Sequence, residues 1–85
     1  NYPNPFNPST TIRFYLSDRG VVDLAVYNIL GRKVATLVES DVDAGWQEVI
    51  WDGTSSSGDK VASGIYFYRL TSGEFIETKK MLLLK

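Results

Sequence analysis

The chain has no cysteine, no histidine and no proline after residue 8. Without cysteine there is neither a disulfide framework nor a thiol nucleophile. Without histidine the usual general base near neutral pH and the commonest metal ligand are missing. Charge of one sign is lacking as well. Nine Lys and Arg against ten Asp and Glu leave a formal net charge of −1, so no global basic field exists to hold a nucleic acid. No apolar run approaches the roughly 20 residues of a membrane helix, and no secretory signal peptide opens the chain. The first residue is Asn1 rather than methionine, which leads us to expect a piece of a longer polypeptide, about whose export the missing signal says nothing.

What is present is enough for a core. A fold of 85 residues must offset roughly 1.5 kcal/mol of lost entropy per residue with apolar burial, so most of its apolar side chains have to be used. The 44% hydrophobic and 13% aromatic content allows that and argues against disorder. All three prolines fall in NYPNPFNP at the start. Proline fixes φ and pushes the preceding residue toward extended backbone, so residues 1–9 read as an extended lead-in, either a linker or a segment whose Tyr2 and Phe6 dock, ahead of one domain spanning residues 10–85.

From Thr10 the pattern is strict alternation, the period-two signature of half-buried strands. Ile12, Phe14 and Leu16 share one face of the first strand, and Val22, Leu24 and Val26 one face of the second. Ser17-Asp18-Arg19-Gly20 reads as a turn in which Gly20 can take positive φ, and Asn28-Ile29-Leu30-Gly31-Arg32 as a tight hairpin connection. The return strand, Lys33–Glu39, holds Val34 and Leu37 out of phase, the mark of a bulge or of burial on both faces. Ser40–Gly45 follows as a loop. Gly45–Trp51 is then a strand with Val49 and Trp51 in one phase and Trp46 in the other. Asp52–Lys60 is a long polar turn. Ile65–Leu70 aligns Tyr66, Tyr68 and Leu70, and Thr71–Glu74 turns the chain into a last strand, 75–84, that buries Met81 and Leu83. The expected core is therefore Ile12, Phe14, Leu16, Val22, Leu24, Val26, Val34, Val49, Trp51, Tyr66, Tyr68, Leu70, Met81 and Leu83. Six or seven short strands with regular turns and essentially no helix indicate an antiparallel β-sandwich, with a small open barrel as the runner-up.

Catalytic equipment is not evident. Ser55, Ser56 and Ser57 have no histidine to activate them, and Lys60 would need burial to act as a base, so the serine run reads as turn chemistry. Asp41 and Asp43 faintly resemble the start of a calcium loop but lack its third ligand and distal glutamate, and a solvated turn is the expectation. No metal and no cofactor is called for. Trp46 is read as packing on a neighbouring strand or the lead-in, ahead of a sugar platform. In KKMLLLK the lysines defend an edge strand against aggregation, or offer a basic strand that a receptor adds to its own sheet.

Five stretches in order, YPNPFNPSTTIRF (2–14), VYNILGRKVATL (26–37), AGWQEVIWDG (44–53), SGIYFYRL (63–70) and the closing TKKMLLLK, resemble the type A C-terminal sorting domain of the type IX secretion system. A related pattern, WDG…SGIYFYRL, occurs in the immunoglobulin-like domain of the flagellar hook-capping protein. The resemblance implies an immunoglobulin-like β-sandwich of about seven strands that does no chemistry itself. It implies a folded signal, covalently part of a larger cargo protein, that directs the cargo from the periplasm through the outer-membrane translocon. A sortase-like cysteine protease then removes the signal, near or upstream of Asn1, and the cargo is attached at the cell surface or released. Carried onto this chain, the recognition elements are the strand with Gly64, Tyr66, Tyr68 and Leu70 and the terminal strand with Lys79, Lys80, Met81, Leu83 and Lys85. Trp46 stands where the family leads us to expect a smaller or more polar residue. The competing reading is a structural or adhesive immunoglobulin-like module, or a surface subunit associating through its edge strands.

Overall fold

A computed structural model describes residues 9–84. Six strands run through them: β1 Thr10–Leu16, β2 Gly20–Asn28, β3 Lys33–Val42, β4 Gly45–Trp51, β5 Gly64–Ser72 and β6 Phe75–Leu83. They form two antiparallel sheets, one ordered β3-β2-β5-β6 and the other made of β1 and β4 alone. The described residues thus hold six strands rather than about seven, and no helix.

The alternation of the sequence becomes the two faces of each sheet. Ile12, Phe14 and Leu16 of β1 and Trp51 of β4 point inward from the small sheet. They meet Val22, Leu24 and Val26 of β2, Tyr66, Tyr68 and Leu70 of β5, and Met81 and Leu83 of β6. Trp51 packs edge-on against Tyr66, with ring centroids 5.1 Å apart. Both rings carry a polar atom that needs a partner once buried, and the β4–β5 connection supplies both. The Trp51 indole donates to the Thr54 carbonyl at 2.9 Å, and the Tyr66 hydroxyl to the Ala62 carbonyl at 2.6 Å.

β3 departs from the sequence reading in an informative way. Its register against β2 runs Val38 opposite Leu24, Thr36 opposite Ala25, Ala35 opposite Val26 and Lys33 opposite Tyr27. Leu37 and Val34 are each the extra residue of a bulge, which explains why they are out of phase with each other. The two bulges let Val34, Leu37 and Val38 all pack against the core, partly buried, while Ala35 is fully buried. Val34 and Val49 line the core rather than filling it, and Ala35 joins the buried cluster. Ala25 is buried in the other phase of β2, opposite Arg69 and Thr36. Two boundaries also move. Gly20 takes ordinary strand backbone rather than positive φ, because it opens β2 opposite Val42. Ser40–Val42 belong to β3 rather than to a loop, since β2 is long enough to pair with them.

The serine loop is hydrogen-bonded throughout. The Ser56 amide donates to the Val34 carbonyl at 3.1 Å, and the Thr36 amide donates to the Ser56 hydroxyl at 3.1 Å. A polar connection thus covers the bulged edge of β3, where unpaired backbone groups would otherwise face solvent.

Replacing Trp51 by alanine removes the largest fully buried side chain and strands the Thr54 carbonyl. The expected cost is about 3–5 kcal/mol, read as a lowered urea midpoint with unchanged denaturant slope.

Candidate recognition site

The residues singled out for recognition lie on the β5–β6 hairpin, whose strands pair from Gly64 opposite Leu83 to Ser72 opposite Phe75 around the two-residue turn Gly73-Glu74. The structure separates them into two groups. Tyr66, Tyr68, Leu70, Met81 and Leu83 are buried; in the folded domain they shape the hairpin without being available at its surface. Lys79 and Lys80 are exposed, while Lys85 lies outside the described residues, as do Tyr2 and Phe6 of the lead-in. Gly64 is half-buried and has φ 149°. A Cβ there would meet nothing within 4 Å, so its constraint is conformational: the chain enters β5 through backbone that side-chain-bearing residues rarely adopt.

What the hairpin does present is the opposite face. Ile65 lies across from Leu82, Phe67 from Lys80 and Arg69 from Thr78. Ile65 and Leu82 are exposed apolar side chains. The Arg69 guanidinium sits 4.8 Å over the Tyr27 ring and donates to its hydroxyl at 2.7 Å. These neighbours were not singled out from the sequence; the signal for them was the same alternation, read in its other phase. β6 is also the end of its sheet. Ser72 and Phe75 flank a two-residue turn and so form a hydrogen-bonded pair. The alternation of antiparallel pairing then leaves the backbone groups of Ile76, Thr78, Lys80 and Leu82 directed at the open edge.

The remaining candidates fall elsewhere. Trp46 is 73% exposed on the outer face of the small sheet and stacks edge-on with Tyr15 of the adjacent strand at 5.5 Å. Next to that pair Arg13 and Glu48 form an ion pair at 2.9 Å. Asp43 faces Arg19 at 3.6 Å, and Asp41 is a strand residue opposite Val21. The Ser55 and Ser57 hydroxyls lie 2.9 Å apart, and Ser57 donates to Asp59 at 3.2 Å. Asp52 accepts from both the Thr54 hydroxyl at 2.6 Å and the Thr54 amide at 3.1 Å, and the hydroxyl bond above all holds its carboxyl below the ordinary range. These bonds organise the loop. Among the described residues no group of three or more His, Cys, Asp or Glu is placed to hold a metal ion.

The model of the secretion system C-terminal sorting domain family matches residues 1–84. The chain belongs to this family. It is a C-terminal sorting domain of the type IX secretion system, which implies a cargo protein handled by that system and export to the outer-membrane surface or beyond. Solved structures that share its fold include the following two. Dimeric latent PorU from Porphyromonas gingivalis superposes with a TM-score of 0.70 at 27% identity, over 99% of this chain but 9% of that one. FlgD from P. aeruginosa superposes with a TM-score of 0.70 at 22% identity, over 88% of this chain and 59% of that one. No curated protein sequence gives a significant match. The sorting domain thus spans a small part of PorU and somewhat over half of FlgD, and with FlgD it shares the fold alone.

Two outcomes test this account of the hairpin. Gly64→Ala should destabilise the sorting domain by about 1–3 kcal/mol through backbone strain, measured by urea unfolding. Burial pushes the Tyr68 phenol above its ordinary value of 10.0, with Lys79 acting against the shift and Glu77 with it. A raised pKa means that the folded state holds the proton more tightly than the unfolded chain. The contribution is therefore present at neutral pH and lost as pH rises past 10. Tyr68→Phe should lack that alkaline loss when unfolding is compared at neutral pH and above pH 10.

Proposed function

We propose that this sorting domain is a non-catalytic signal read in its folded state. It is joined to a larger cargo, crosses the periplasm with it and engages the outer-membrane translocon of the type IX system. A sortase-like cysteine protease then cuts near or upstream of Asn1, and the cargo is attached to the cell surface or released. Family membership over residues 1–84 carries this reading. The loop bonding of Ser55, Ser56 and Ser57 supports the non-catalytic part, since these hydroxyls serve the fold and have no histidine to activate them. For recognition, the burial of Met81 and Leu83 favours a readout by what β6 exposes, with Lys79, Lys80 and Leu82 at its centre, together with Gly64 at the entry to β5 and Lys85 beyond the strand. Tyr66, Tyr68, Leu70, Met81 and Leu83 hold that surface in shape.

Residues 1–85 fused behind a periplasmic reporter, in a host that possesses this secretion system, should carry the reporter to the cell surface. Retention in the periplasm, while a proven sorting domain exports the same reporter, would sink the proposal. Deleting residues 79–85 would remove core side chains, so charge reversal is the cleaner probe. Lys79→Glu with Lys80→Glu should leave thermal stability nearly unchanged and reduce export about tenfold or more, as expected when charges that steer an encounter are inverted.

A further inference from the structure

The β2–β3 hairpin tip carries Ile29 and Leu30, 68% and 73% exposed, in a conformation that is held rather than loose. The Asn28 side-chain oxygen accepts from the amides of Leu30 at 2.9 Å and Arg32 at 3.0 Å. The Gly31 amide donates to the Asn28 carbonyl at 3.0 Å, and the Asn28 amide to the Arg32 carbonyl at 3.0 Å. Gly31, at φ 81°, permits this turn at a position where a side chain would be strained. Two aliphatic side chains are thus fixed outward at the end of the sandwich, on a turn whose Leu30, Gly31 and Arg32 amides are already paired internally. A turn entering an apolar medium needs that pairing, since unpaired amides are costly there.

Cations surround the tip. Arg32 closes it, and Lys33 starts a row that the strand register carries straight across the sheet: Lys33 opposite Tyr27, Tyr27 opposite Phe67, Phe67 opposite Lys80. A hollow of about 260 Å³ lies between the tip and this face, lined by Ile29, Tyr27, Phe67 and Arg69 among others. Ile65 and Leu82 continue the exposed apolar surface on the same side. Acidic residues gather at the other end of the sandwich, where Asp18, Asp43 and Glu74 occupy the turns and Asp41 the end of β3. The net charge of −1 is therefore unevenly spread. Arg19 is paired with Asp43 among the acids of that end. Near the tip the acids are Asp52 and Asp59 of the loop bonded to Val34 and Thr36, and Arg32, Lys33, Lys80 and Arg69 face the apolar tip side.

We propose that the β2–β3 tip docks on an anionic lipid surface. Ile29 and Leu30 enter the headgroup–acyl boundary, while Arg32, Lys33, Lys80 and Arg69 face the headgroup phosphates. Charge complementarity selects a negatively charged occupant. The Leu30, Gly31 and Arg32 amides are internally paired, which suits a soft apolar boundary better than a peptide partner seeking backbone hydrogen bonds. The pairing of apolar tip and flanking cations is that of interfacial membrane binders. This goes beyond the sorting reading and does not depend on it.

The test is co-sedimentation of residues 1–85 with vesicles of phosphatidylcholine, with and without phosphatidylglycerol. Binding should require phosphatidylglycerol and weaken with added salt. Ile29→Asp with Leu30→Asp should reduce partitioning about tenfold or more with the far-UV circular dichroism unchanged, whereas Trp46→Ala, on the small sheet, should leave it unaltered. Equal binding to both vesicle types, equal loss in Trp46→Ala, or full retention in the double aspartate variant would each overturn the proposal. So would a concentration-dependent self-association in solution that the double variant abolishes, because the occupant of the tip would then be a second copy of the chain. Export of the reporter fusion, measured separately, distinguishes failure here from failure of the sorting reading.

Discussion

The Trp51–Tyr66 contact is the interaction on which the rest of the sorting domain depends. The indole comes from the two-stranded sheet and the phenol from the four-stranded one, and their edge-on packing at 5.1 Å joins the two layers. Such a pair contributes about 0.5–1.5 kcal/mol beyond its area burial, but its larger effect is geometric. Both polar atoms are satisfied by carbonyls of the β4–β5 connection, at Thr54 and Ala62, so the core cannot form without placing that loop. The loop in turn sets Ser56 against the edge of β3. One aromatic pair thus couples two sheets, a connection and a sheet edge.

The two edges of the large sheet are handled differently. β3 is bent by two bulges and covered by the serine loop, two of the devices by which proteins blunt an edge. β6 pairs without a register break along its nine residues, and no strand among the described residues continues the sheet beyond it. Its protection is Lys80 and the exposed charge of Lys79 and Glu77, which approach to 3.7 Å. A sorting domain has to be recognised by something, and the edge left open is the one whose strand closes the described chain. Within the large sheet, the same physics makes β6 better disposed than β3 to strand addition by another chain.

Much of the fold was legible in the residues. The alternation of Ile12, Phe14 and Leu16, of Val22, Leu24 and Val26, and of Tyr66, Tyr68 and Leu70 marks the inner faces directly, because a strand turns successive side chains to opposite sides. The phase break at Val34 and Leu37 was visible too, but not its meaning, since a bulge exists only relative to a partner strand. Ala25 and Ala35 gave no signal because a small side chain is compatible with either face. The serine run was legible as a turn; that it covers β3 depends on Val34 and Thr36, some twenty residues upstream.

The candidate site divides along the same line. Composition and local pattern determined that the chain is all-β and that it lacks histidine and cysteine, while its resemblance to sorting domains rests on five stretches in order, YPNPFNP and KKMLLLK among them. The pattern and each stretch are local, and can be read from a few neighbouring residues. The alternation already puts Tyr66, Tyr68, Met81 and Leu83 inside. Only the tertiary structure decided that Lys80 and Leu82 share the outer face of a strand at an open sheet edge, with Lys79 exposed in the phase of Met81. It also decided that the near-zero net charge is unevenly spread. Both follow from strand register, which pairs residues far apart in sequence and leaves no mark in any short stretch of the chain.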